Sequence, residues 1–261
     1  MADQLGRGEK EMQITAALTT LEQIVGLREQ YRQEMNCQII HDSIHSRPGW
    51  SLEYALSLEA RLIGYGSVAK AGPWKAAPVI YEFFVEHPFR ARLFDCFVAL
   101  HEATGISRVE TQSNDVWLTS MLLTFARDVK VESILFKDEI TTHLLLPDVQ
   151  FRNPTLGELP DVGPDQIASH GVLVLDETVV ARGGILFHYN RPYGDIYMEV
   201  SEPFRRRGLG AFLVQELKRV CYERGNVPSA RCNPANIGSR KTLQKAGFVP
   251  CGHIVSGVVV V

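Results

Sequence analysis

The sequence predicts an α/β protein made of two similar halves. Apolar runs of strand length alternate with longer segments of helical period. The order strand–helix–strand–helix–strand occurs twice, and a short stretch of text recurs in both passes. In the first, Ile80-Tyr81-Glu82 and Pro88-Phe89-Arg90 precede an apolar helix. In the second, Ile196-Tyr197, Glu199 and Pro203-Phe204-Arg205 do so, with one residue of slack. At 261 residues the chain is long enough for two modest domains, which we place at residues 1–137 and 138–261.

The elements follow in order. A helix is expected over 14–35 and a strand pair over 56–70. The strand that begins at Ile80 leads into a helix over 91–103, which Gly105 ends. A strand over 106–111 reaches Ser113 and Asn114, a helix covers 116–126, and a strand covers 131–136. Residues 138–163 carry Pro147, Pro154 and Pro160 and read as a crossover; the stretch 155–167 is too short and proline-broken for two good helices. The second half has a strand over 195–200, a helix over 210–223 ended by Gly225, a strand over 227–232, a helix over 237–246 stopped by Gly247, and a strand that opens at Phe248.

Composition excludes several classes. Hydrophobic content of 45% and charged content of 22% describe an ordinary soluble chain, and a net charge of −3 argues against general nucleic-acid binding. No window approaches a membrane span, and residues 1–10 are polar, unlike a signal peptide. Cys37, Cys96, Cys221, Cys232 and Cys251 lack paired or metal-like spacing, so buried thiols in a reducing cytoplasm are expected and no metal site. The apolar end of the chain, from Val258 to Val261, either completes a sheet or pairs with a second copy in a homodimer.

The chemistry-bearing stretch is Arg205-Arg206-Arg207-Gly208-Leu209-Gly210-Ala211, set between a strand and an amphipathic helix. Such a turn suits an anionic phosphate: unpaired backbone N–H groups and the positive end of the helix dipole converge there. Gly208 and Gly210 allow close backbone approach, and the arginines add charge-assisted hydrogen bonds. Neither the P-loop nor the G-x-G-x-x-G pattern is met, because Leu213 stands where the latter needs its last glycine. What remains is R-x-x-G-x-G/A. Within the next forty residues, Asn236-x-x-Ser239 and Lys245-Ala246-Gly247-Phe248 follow in order.

Together these motifs resemble the acetyl-CoA loop and the second motif of the GCN5-related N-acetyltransferases, the GNAT superfamily, over roughly residues 170–261. The resemblance implies a mixed, mostly antiparallel sheet flanked by helices, here as a tandem pair whose first copy has Leu93 and Asp95 in place of the loop glycines. It implies acetyl-CoA as co-substrate without a metal, held in a V-shaped gap between two strands. Backbone around Met198 and Val200 would pair with the pantetheine arm, the segment from Arg206 to Ala211 would hold the pyrophosphate, and Asn236 and Ser239 would lie beside the pantetheine or thiol. A primary amine of a small molecule or peptide would attack the thioester directly.

Such chemistry needs a base. Asp195 and Glu199 share one face of the strand by alternation, so both are candidates; solvated strand carboxylates are the bland alternative. His188, Tyr189 and Tyr193 lie close by in sequence. The tyrosine that many family members carry as an acid is here Leu243. The chain therefore reads as an N-acetyltransferase. The alternative is a catalytically decayed CoA-binding regulatory or interaction protein.

Overall fold

In the computed structural model, the described residues are 13–39, 42–159, 163 and 167–260; the polar N-terminal stretch 1–10, Pro160 and Val261 lie outside them. The chain begins with strand β1 (Ile14–Thr19) followed by helix α1 (Leu21–Met35), where the sequence pattern suggested one helix. Thr20 separates them. Extended at φ −106°, it accepts a hydrogen bond from the Gln23 N–H, and the Gln23 side-chain oxygen accepts one from the Thr20 N–H. This capping box fixes the helix start and leaves the threonine-rich, alternating segment before it to pair as a strand.

Helix α2 (Asp42–His45), strands β2 (Ser51–Leu58), β3 (Arg61–Ala69) and β4 (Val79–Val85), helix α3 (Leu93–Thr104), strand β5 (Arg108–Gln112), helix α4 (Val116–Phe125) and strand β6 (Ala126–Asp138) complete the first half. The second half runs through β7 (Gln150–Arg152), β8 (His170–Leu175), β9 (Thr178–Leu186), β10 (Tyr193–Val200), α5 (Leu209–Glu223), β11 (Val227–Cys232), α6 (Ile237–Lys245) and β12 (Phe248–Val259). Among the described residues, no helix lies between β6 and β8 other than one short 3-10 turn, and no helix is long and apolar enough to cross a membrane.

All strands join one 12-stranded sheet in the order β1-β2-β3-β4-β5-β12-β6-β11-β10-β9-β8-β7. The sheet is antiparallel except at β4–β5 and β10–β11. Its centre is an exchange. Strand β12, from the second half, pairs with β5 of the first; β6, from the first half, pairs with β11 of the second; and β6 and β12 pair with each other. The cores follow the strands. Val255 and Val259 of β12 pack with Phe83, Phe97 and Leu100 of the first half, and Phe136 of β6 packs with Leu213, Leu217 and Phe248 of the second. Val258 and Val259 thus complete the sheet.

The halves also repeat in atomic detail. Arg90 Nε donates to the Val85 carbonyl at 3.1 Å, and Arg205 Nε to the Val200 carbonyl at 3.1 Å. These pairs align the halves at a fixed offset without slack, placing Glu82 against Tyr197 rather than against Glu199.

A buried charge cluster anchors the first half to its sheet. Arg28 on α1 donates through Nε to Glu82 Oε2 at 3.1 Å and through Nη2 to Asp42 Oδ1 at 2.9 Å. His45 spans two carboxylates, Nδ1 lying 2.9 Å from Glu53 and Nε2 3.1 Å from Glu82. Arg32 adds a bond to Asp42 at 2.6 Å. Three cations thus face three carboxylates, which satisfies the requirement that buried charges be paired. Burial pulls the His45 pKa down, but the Glu82 charge and hydrogen bonding to Glu53 and Glu82 outweigh it and raise the value to about 9. Burial likewise pushes the Glu82 carboxyl up, while Arg28 and His45 hold it well below the usual carboxylate range.

Two outcomes follow for stability. A fragment of residues 138–261 lacks β6, leaving β11 and one edge of β12 unpaired; it should show no cooperative thermal transition, and a sharp transition close to that of the full chain would contradict the exchange. The His45 contribution is complete below its unfolded pKa near 6.5 and is lost as pH rises through about 9. Denaturant unfolding of the wild type should lose roughly 3 kcal/mol between those limits, a loss that His45→Gln should not show. Parallel pH profiles for the two proteins would count against this account.

Candidate functional site

Strands β10 and β11 part company early. They pair in parallel from Tyr193↔Val227 to Asp195↔Ser229 and no further, whereas β10 stays paired with β9 as far as Val200↔Ala181. From Ile196 to Val200 the edge of β10 that faces β11 therefore has no strand partner among the described residues. A cleft of ≈ 690 Å³ opens there between the starts of α5 and α6.

The α5 side is built from backbone. Gly208 adopts φ 83°, a left-handed conformation that costs glycine no Cβ clash, and no side chain caps the helix. The first helical bond runs from Phe212 N–H to the Gly208 carbonyl at 3.1 Å, so the N–H groups of Leu209, Gly210 and Ala211 in the first turn have no acceptor within the helix. These residues all line the cleft. At Gly210 a Cβ would lie 3.1 Å from Thr242 Cγ2 and 3.4 Å from Val200 Cγ2; any larger side chain would fill the passage.

The three arginines separate. Arg205 and Arg206 line the cleft, although Arg205 commits its Nε to the Val200 carbonyl. Arg207 is not a lining residue, and its guanidinium lies over the Phe204 ring at 5.4 Å. Across the cleft, Asn236 caps α6, its Oδ1 accepting from Ser239 N–H at 3.0 Å, and both residues line the space. Gly238, Lys241, Thr242 and Lys245 line it too. Sequence reasoning missed these four, yet their i, i+3, i+4, i+7 spacing marks one face of α6, and that polar stripe beside the arginine loop was the available signal. Met198, Glu199 and Val200 supply the β10 wall. Cationic side chains and an open helix N-terminus suit a polyphosphate ligand.

A second cavity of ≈ 230 Å³ adjoins the first; Met198 and Ser239 line both. Here the two candidate carboxylates diverge. They share a face, as alternation requires, but Glu199 is exposed and lies 3.6 Å from Arg182 Nε. Asp195 is buried and lines the smaller cavity. Its Oδ2 accepts from Arg231 Nε at 3.2 Å, and its Oδ1 is buried with no hydrogen-bond partner. Burial raises the Asp195 pKa, Arg231 opposes it, and the balance is about 6. Arg231 is held in turn by Tyr189, whose ring lies 4.5 Å below the guanidinium and whose hydroxyl accepts from Nη2. The His188 ring lies tilted against Tyr189, and the pKa of His188 is lowered by burial, then by Arg47 and Arg231. Tyr193 points elsewhere, donating to Asn36 Oδ1 at 3.0 Å. Leu243 is a buried wall of the smaller cavity.

Residues 145–248 match the model of the acetyltransferase (GNAT) family. No curated protein matches the sequence. Among solved structures, a GNAT-family acetyltransferase from Colwellia psychrerythraea is similar at 13% identity and TM-score 0.76, over 95% of this chain and 100% of its own. A GCN5-related N-acetyltransferase from Sphaerobacter thermophilus is similar at 12% identity and TM-score 0.61, over 95% and 98%. A tandem GNAT protein from the clavulanic acid biosynthesis pathway is similar at 11% identity and TM-score 0.55, over 94% and 97%. At these identities the likeness is one of fold.

Proposed function

We propose, from the premise that residues 145–248 of this chain form a domain of the GNAT acetyltransferase family, that the protein is an acetyl-CoA-dependent N-acetyltransferase whose cofactor occupies the larger cleft and whose amine enters the smaller cavity. The observation that carries this is Asp195: a buried carboxylate with one oxygen unpartnered, lining a cavity that adjoins a cation-rich cleft. Leaving such a group unsatisfied costs stability, which makes a ligand the natural partner.

Acetyl-CoA, when bound, supplies an activated acetyl thioester. The residues suited to its phosphates are Arg205, Arg206, Lys241, Lys245 and the N–H groups from Leu209 to Ala211; the open edge of β10 at Met198 and Val200 suits its amide-bearing arm. Asp195 holds the acceptor ammonium at Oδ1 and takes its proton. A carboxylate with a pKa of about 6 is ionised at neutral pH and close enough to it to work as a base. Glu199, exposed and beside Arg182, is assigned to the rim. Leu243, apolar and buried, cannot supply the proton that a tyrosine at this place would give the departing thiolate; a CoA thiolate is stable enough near neutral pH to leave unaided.

The first half, residues 1–137, is assigned a supporting role. At the start of α3, Leu93 and Asp95 replace the loop glycines, and Asp95 pairs with Arg92 Nε at 2.5 Å. A carboxylate in the first helical turn occupies the potential that a phosphate would seek. Free cysteines throughout the chain suit a reducing, cytoplasmic setting. Leu243 also favours the second reading, a CoA-binding protein without turnover.

Asp195→Asn should lower kcat by about 100-fold while leaving the acetyl-CoA Kd unchanged. The wild-type kcat/KM should fall as pH drops below about 6, where the base becomes protonated. Near-normal activity in Asp195→Asn, with a dead Glu199→Gln, would move the base to Glu199. Tight cofactor binding without turnover of any amine would favour the second reading.

A further inference from the structure

The smaller cavity holds more information than a place for a base. Its charged lining residues are Asp195 and Arg231, one of each sign; Leu186, Ile196, Met198 and Leu243 supply an apolar wall. Arg231 spends Nε on Asp195 and one Nη2 hydrogen on Tyr189, two of the five donors a guanidinium carries. Its side chain keeps 29% of its surface exposed, although it is pinned from below by the Tyr189 ring at 4.5 Å. The cavity therefore presents, side by side, an unpartnered carboxylate oxygen and a fixed guanidinium with donors to spare.

We infer that the acceptor is a small neutral amino acid of apolar side chain, its α-ammonium on Asp195 Oδ1 and its α-carboxylate on Arg231. The inference rests on the acetyltransferase reading only for the fate of the amine. Charge decides the class. A simple alkylamine would satisfy Asp195 and leave the Arg231 donors without an anion. A polyamine would bring a second cation toward Arg231. A zwitterion neutralises both groups at once, and charge-assisted bonds to a guanidinium are strong and directional. A volume of ≈ 230 Å³ accommodates a molecule of this size but not a folded peptide segment.

The test uses the full chain saturated with CoA and calorimetric titration of L-leucine, L-leucine methyl ester, 3-methylbutylamine and putrescine, followed by acetylation kinetics for the same four with acetyl-CoA. The amino acid should bind at least about tenfold more tightly than the ester or the amine, with putrescine weakest. Arg231→Gln should abolish that preference, so that the amino acid and its ester bind alike. Equal or better binding of the ester or amine by the wild type overturns the inference without needing the variant, as does failure of leucine to bind. The two proposals fail differently. Acetylation of the amine but not the amino acid removes the zwitterion and keeps the transferase; binding of the amino acid without acetylation removes the transferase and keeps the zwitterion site.

Discussion

The antiparallel contact between β6 and β12 at the centre of the sheet is the constraint on which the rest depends. Each strand comes from one half and closes the sheet of the other, so neither half has a complete sheet of its own. The exchange converts two short sheets into one and draws core residues across with the strands, Val255 and Val259 one way and Phe136 the other. Sheet edges are costly to leave open, and here the two inner edges close each other. The exchange also sets the distance between the two parallel junctions, β4–β5 and β10–β11, which face outward from it.

Those junctions are the same device put to different use. In each, a parallel pair is zipped for two or three residues and then diverges. In the first half the chain fills the neighbourhood with its own charges: Glu82 on β4 meets Arg28 and His45, and the cluster is balanced. In the second half the carboxylate of Asp195 has a single cationic partner and an oxygen left over, beside space that the chain does not fill. A charge-balanced network stabilises and specifies packing; a buried carboxylate oxygen left over beside open space has affinity for something outside the chain. The loop preceding the helix tells the same story, with Asp95 in the first turn of α3 and glycine at the corresponding place in α5.

Much of this was legible in the residues. Helical periodicity located α3, α4, α5 and α6 to within a few residues, because each carries an apolar stripe ended by a glycine or a change of pattern. The cleft was legible because two glycines, Gly208 and Gly210, stand beside three arginines where a strand gives way to a helix. The N-terminal strand was not, since a single threonine cap divides β1 from α1 and the apolar spacing alone runs through it. Nor was the exchange, because β6 and β12 are matched by long-range register, and nothing local to 126–138 or 248–259 says which partner each will choose. The divergence of Asp195 and Glu199 was hidden for a related reason. Alternation assigns a face, but burial along a strand depends on what the neighbouring strands and loops cover, here Arg231 and Tyr189 from elsewhere in the chain. Arg207 illustrates the limit of charge counting: it stands within the basic triplet, yet its guanidinium stacks on Phe204.

The central claim is that one of two like halves holds the cofactor. Calorimetric titration of acetyl-CoA into the full chain, and into Gly210→Val, tests it most directly. The account predicts one site per chain in the wild type and none in the variant, whose added methyl groups would meet Thr242 and Val200. Two sites per chain, or one site that survives in Gly210→Val, would contradict it.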